Sequence, residues 1–166
     1  MNKRKVIIII LSWLFVLITM IIISSFSMQN GEASKETSDG IVEVIVEQLP
    51  NKDQITIEQK DNIRFSVRKL AHFSIYTVLG FSLFNAIKNS FKIKAIFCAL
   101  SSVVGSSLFA IIDEFLIQGH SDGRSPQWTD VLIDSFGAII GVLLFVCIIL
   151  IYNKVKDKNK TKNGIL

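Results

Sequence analysis

The sequence predicts an all-α integral membrane protein. It has four transmembrane helices, both termini in the cytoplasm, and an extracytoplasmic amphipathic segment between helices 1 and 2. Three observations carry this reading. The chain holds four long apolar runs, at 6–26, 70–87, 95–112 and 131–152, interrupted by ionisable groups only at His72 and Asp134. Each reaches the roughly 18–20 residues that cross about 30 Å of hydrocarbon. Half of the 166 residues are hydrophobic and the mean hydropathy is +0.48, too apolar for an ordinary soluble domain. Finally, the net charge of +4 is segregated into basic clusters beside the runs. Lys3, Arg4 and Lys5 precede the first run. Lys88, Lys92 and Lys94 separate the second from the third. Lys154, Lys156, Lys158, Lys160 and Lys162 follow the fourth. With both termini and the middle loop inside, all three clusters obey the positive-inside rule.

The first run has the basic start of a secretory signal, and Ser25-Phe26-Ser27 has the form of a small-x-small site. The run exceeds the 7–15 residues of a signal core, so a retained helix is expected. Residues 27–69 then lie outside. There Ile41, Val44, Ile45, Gln48 and Leu49 share one helical face, with Glu43 and Glu47 off it. The reading preferred is an amphipathic helix on the outer leaflet, with a strand as the alternative. Pro50 and Asn51 end it. Thr56 and Gln59 form a capping-box pair. Ile63, Val67, Leu70 and Ser74 continue one face, so this helix is expected to run unbroken into the second span.

The second span enters with Arg68, Lys69 and His72, and Tyr76 follows a turn deeper. Lys69, His72 and Tyr76 share a face. Arg68 and Lys69 either snorkel to lipid phosphates or enter a site. The third span carries a line of small residues, Ser102, Ser106 and Ala110, that continues to Glu114 and Gln118. Small residues let membrane helices approach closely, so Glu114 is expected to point into the bundle. In the fourth span Asp130, Asp134, Gly137 and Gly141 share a face, and the two glycines make a GxxxG. An unpaired charge at the bilayer centre costs about 2.5–3.5 kcal/mol, and Asp134 sits about a turn inside its run, so it needs a partner. His72, Lys69 and Arg124 are the candidates. Cys98 and Cys147 share no metal-ligand spacing and read as small buried hydrophobes. The chain divides into one membrane domain, 1–152, and a basic cytoplasmic tail, 153–166. That tail reads as a topology signal, and no nucleic-acid partner is expected.

The candidate pocket is therefore Lys69, His72, Tyr76, Asp113, Glu114, Gln118, Arg124, Asp130 and Asp134, with Arg68 beside it and Ser102, Ser106, Gly137 and Gly141 as packing positions. Arg and Lys grip a phosphate or carboxylate headgroup. His72 with a carboxylate suits a general base. Asp113, Glu114 and Asp130 suit a hard cation. A polar core that only fixes packing is the bland alternative. The residues name no cofactor.

Lys69-Leu70-Ala71-His72-Phe73, Tyr76, Leu79-Gly80, Asp113-Glu114-Phe115, Gly123-Arg124 and Asp130-Val131 with Asp134, Gly137 and Gly141 together resemble the VanZ-like family. Phe26-Ser27 with Gln29, Ser34 and Ser38 also fits the pattern. The family's glutamine usually stands one place nearer the acidic pair than Gln118, and a proline often stands where Asp122 precedes Gly123. The resemblance implies a multi-pass protein of bacterial cell membranes, linked to reduced susceptibility to teicoplanin-like glycopeptide antibiotics. It implies no established reaction.

Three functions follow from residues and resemblance. One is an outward-facing pocket for a lipid or glycolipid headgroup. The second is an integral-membrane enzyme acting on a lipid-linked phosphate, although no catalytic motif is recognised. The third is a non-catalytic accessory or oligomerisation module using the GxxxG face. The partners expected are membrane lipids, a lipid-linked cell-wall component or glycopeptide, and a second copy of the chain.

Overall fold

The computed structural model describes residues 2–50, 52–121, 123 and 125–162. Among these residues five α-helices follow one another: α1 Lys3–Ser27, α2 Gly31–Glu47, α3 Ile57–Ser90, α4 Ala95–Ile112 and α5 Trp128–Lys162. A π-helical turn, Asp113–Ile117, and a 3-10 turn, Gln118–His120, extend α4. Among the described residues there is no strand, so the segment after α1 is helical. Among the described residues four helices, all but α2, are long and apolar enough to cross a membrane.

Local chemistry sets the ends. The Asn30 side chain accepts from the Ala33 amide at 2.8 Å and starts α2. The capping box is complete. Gln59 N donates to Thr56 Oγ1 at 3.2 Å, and Thr56 N donates to Gln59 Oε1 at 2.9 Å. From that start α3 runs 34 residues without a break. At 1.5 Å per residue it is about 51 Å long, well beyond the hydrocarbon thickness. Its first turns therefore stand clear of the bilayer core, and α2 packs along them. Arg64 ties the pair together, bonding Asp39 of α2 through Nε at 2.6 Å and also pairing with Asp61.

The side of α2 turned to the bundle is Ser34, Ser38, Val42 and Val46. Ile41, Val44, Ile45 and Leu49 are exposed on the other side. The apolar face read from sequence thus points mostly away from the protein, with Ile41 at its edge bordering the space between α1, α2 and α3. On α3, Ile63 and Val67 are partly covered as expected, but Leu70 and Ser74 are exposed. The covered line turns instead toward His72 and Tyr76.

Helices α3 and α5 form the central pair, and glycine makes it close. A Cβ on Gly137 would fall on the Phe73 carbonyl, one on Gly141 on the Thr77 carbonyl, and one on Gly80 on the Ala138 carbonyl. The GxxxG face is therefore spent inside the chain and is not free to join a second copy. Ser102, Ser106 and Ala110 of α4 are fully covered. Cys98 is buried, whereas Cys147 is exposed on α5, contrary to the sequence reading, because it falls opposite the glycine face. On α1 the covered stripe is Ser12, Val16, Thr19, Ile23 and Ser27. Trp13 Nε1 donates to Ser90 Oγ at 2.9 Å, and Asn85 donates to Ser12 Oγ at 3.1 Å. These bonds bring the start of α1 to the end of α3, so the basic residues 3–5 and 88–94 share one end of the bundle.

Candidate functional site

The opposite end of the bundle holds the carboxylates. There the C-terminus of α1, the middle of α3, the end of α4 and the start of α5 meet. The rows predicted from sequence run side by side. Lys69 pairs with Asp130 at the rim, and its ammonium also lies 4.6 Å from the centre of the Phe65 ring. One turn deeper, His72 Nδ1 faces Asp134 Oδ2 at 3.6 Å. Asp134 is only 1% exposed. A turn further in, Tyr76 is wholly buried, with its ring 6.3 Å from Phe109 and its hydroxyl within the field of Asp113, Asp134 and Glu114.

The acidic pair on α4 divides its work. Ser27 Oγ donates to Asp113 Oδ2 at 2.6 Å and links α1 to α4. Glu114 turns to the following loop: Gln127 N donates to its Oε1 at 2.8 Å, and Gln118 Nε2 to its Oε2 at 2.5 Å. Both carboxylates are buried. They lie in the π-helical turn, a widened turn that interrupts the regular helix at the two adjacent acids. The loop returns past Gly119, where a Cβ would stand 3.3 Å from the Glu114 carbonyl oxygen. Gly123 has φ +77, a backbone state other residues resist, and it lies against Gly31 of α2. Ser121 Oγ donates to the Ser27 carbonyl at 3.1 Å.

Eight of the nine pocket residues named from sequence thus fall into two groups. Lys69, His72, Asp130 and Asp134 line a narrow cleft of about 20 Å³ with Phe65, Arg68 and Ile133. Tyr76, Asp113, Glu114 and Gln118 are buried and do not border this cleft. Arg124 lies outside the described residues. The cation site suggested for Asp113, Glu114 and Asp130 is not assembled. Each is held by a different neighbour, and among the described residues no three His, Cys, Asp or Glu side chains are grouped to hold a metal ion. Four buried polar atoms in this region have no hydrogen-bond partner among the described residues: His72 Nδ1, Tyr76 Oη, Asp113 Oδ1 and Asp134 Oδ1.

A larger space lies beside the cleft. It is a groove of about 250 Å³ between the end of α1, the inner face of α2 and α3. Ile23, Phe26, Ile41, Val67, Ala71 and Ile75 make it mostly apolar. Arg68 and His72 border both groove and cleft. This groove was not read from the sequence. Nor was the role of Ser27, whose partner is 86 residues away. The available signal was the row of Ser12, Thr19 and Ser27, hydroxyl residues on one side of an otherwise apolar span.

A family model described as VanZ/LLP1 matches residues 12–151 of the chain. No curated protein and no solved structure matches it.

Proposed function

The chain belongs to the VanZ-like family, whose model covers residues 12–151 and reaches into all four candidate spans, and from that premise we propose that its carboxylate-rich end faces outward and binds the headgroup of a lipid or glycolipid. The observation that carries this reading is the convergence of Arg68, Lys69, His72, Asp130 and Asp134 on one cleft at the end of the bundle. The basic clusters support the orientation, since those at 3–5 and 88–94 lie at the other end and cationic ends stay in the cytoplasm. Occupying or reshaping lipid-linked targets at the outer surface is how such a site lowers susceptibility to teicoplanin-like glycopeptides.

Binding is favoured over catalysis on a lipid-linked phosphate by how the charges are engaged. Lys69 is held by Asp130, and Asp113 and Glu114 are tied to Ser27 and Gln127 rather than presented to a ligand. The GxxxG face being spent within the chain weakens the oligomerisation reading.

The test combines two measurements in a bacterial host: teicoplanin susceptibility and mass spectrometry of lipids that copurify with the protein. The wild-type chain is expected to retain a defined lipid and reduce susceptibility. His72→Ala is expected to lose both at normal abundance. A wild-type protein that carries no lipid above the detergent background removes the reading.

A further inference from the structure

We propose that the groove between α1, α2 and α3 holds an acyl chain of an anionic diacyl phospholipid from the surrounding leaflet, with Arg68 on its phosphodiester. This rests on the headgroup-binding reading and gives it a ligand class.

The groove has the character of a hydrocarbon slot. Its walls are Ile23 and Phe26 of α1, Ile41 of α2, and Val67 and Ile75 of α3. The serines of α2 do not make it polar, because Ser38 Oγ donates back to the Ser34 carbonyl at 2.8 Å. Their small size opens the space between α2 and α3. The exposed residues Ile41, Val44, Ile45 and Leu49 give α2 an apolar side suited to lying against lipid, which puts the groove at the edge of the hydrocarbon.

One end of the slot is charged. Arg64, Arg68 and Lys69 crowd this part of α3. Arg64 is held by Asp39 and Asp61, and Lys69 by Asp130. Arg68 has no hydrogen bond or ion pair among the described residues, although it is half-buried between groove and cleft. A guanidinium held there without an anion is costly, and it is the side chain best shaped to grip two phosphate oxygens. The apolar walls call for a chain and the guanidinium for a phosphate, so one amphiphile meets both needs. Charge selects among amphiphiles. One free arginine balances the single charge of a phosphodiester. A phosphomonoester, as in a polyprenyl phosphate, carries up to two charges and would meet Asp130 and Asp134 across the cleft.

The experiment is native mass spectrometry of the full chain in a neutral maltoside. It is titrated with phosphatidylglycerol, phosphatidylcholine and a polyprenyl phosphate. Phosphatidylglycerol is expected to bind most tightly. Arg68→Gln is expected to weaken it about tenfold or more, the value of a charge-assisted hydrogen bond. Ser38→Phe, which places a ring in the groove, is expected to weaken it comparably. Ala71→Phe fills the same groove from the exposed side of α3 and serves if Ser38→Phe does not fold. Phosphatidylglycerol binding unchanged in Arg68→Gln or in both groove-filling variants overturns the inference. Preference for polyprenyl phosphate or phosphatidylcholine overturns it too, while leaving the headgroup reading intact. Retention of none of the three lipids overturns both.

Discussion

His72 and Asp134 lie at the same depth on adjacent helices, with Nδ1 and Oδ2 3.6 Å apart. The contact joins the only Asp, Glu, Lys, Arg or His residue within each of the apolar runs 70–87 of α3 and 131–152 of α5. Asp134 is nearly sealed, whereas His72 keeps about a fifth of its side chain exposed. The pair therefore contributes less than a fully buried one.

Asp134→Ala is expected to cost about 1–3 kcal/mol of stability in detergent, below the 3–5 typical when one partner of a buried pair is removed. Asp134→Asn should be milder because an amide still offers hydrogen bonds. The His72→Ala, Asp134→Ala and double variants should be non-additive in a thermal double-mutant cycle. A coupling indistinguishable from zero would show that the two side chains do not interact in the membrane protein.

The central helix pair makes a sharper demand. At Gly141 an added methyl has no room, because the Thr77 backbone occupies its place. Gly141→Ala must push α3 and α5 apart and should lose about 1–3 kcal/mol or more, the range for overpacking. Gly40 on α2 is the internal control, with nothing within 4 Å of an added Cβ. Gly40→Ala should be neutral or stabilising by up to about 1 kcal/mol through helix propensity. Membrane abundance and melting temperature of the two variants decide this. Equal behaviour would mean the pair is looser than the structure has it.

What the sequence made legible was whatever repeats along one helix. The row Ser102, Ser106, Ala110, Glu114, Gln118 is covered throughout, and Asp130, Asp134, Gly137 and Gly141 do share the face that meets α3. Capping and the long unbroken α3 are local too, and the structure has them as read. Pairings between helices were legible only in part: His72 was one of three candidates for Asp134, and Lys69 was among them too but pairs with Asp130 instead. Lys69 takes Asp130 and His72 takes Asp134 because the rows run alongside in register, which no single helix reveals. For α2 the familiar rule of apolar inward holds only in part, since apolar residues occupy both its sides. Ser34 and Ser38 are covered together with Val42 and Val46, while Val44, Ile45 and Leu49 are exposed, as suits a helix lying against a lipid surface.

Ser27 and Asp113 give a prediction that only the structure supports. The bond at 2.6 Å is buried, so deleting the hydroxyl leaves a carboxylate oxygen without its donor. Ser27→Ala should cost about 1–3 kcal/mol, the penalty for a buried group left unsatisfied. Ser25 lies on the same helix but is exposed and bonds only to the Ile21 carbonyl, so Ser25→Ala should be silent. The comparison is made by thermal melts of purified protein. A silent Ser27→Ala would detach α1 from the acidic end and from the proposed site.

The last prediction concerns which way the bundle faces. The basic residues 3–5 and 88–94 share one end, and the carboxylate cluster occupies the other. A cytoplasmic basic end leaves α2 and the loop before α5 outside. Single cysteines report this in a background carrying Cys98→Ala and Cys147→Ala. The labelling positions must be exposed. Glu36, Ser125 and Lys92 are all exposed. Cysteines at 36 and 125 should react with an impermeant maleimide in intact cells, and one at 92 only after lysis. The reverse pattern would place the cleft and Arg68 in the cytoplasmic leaflet. The protein would then meet phospholipid from the inner side, and a direct effect on an extracellular glycopeptide would be lost.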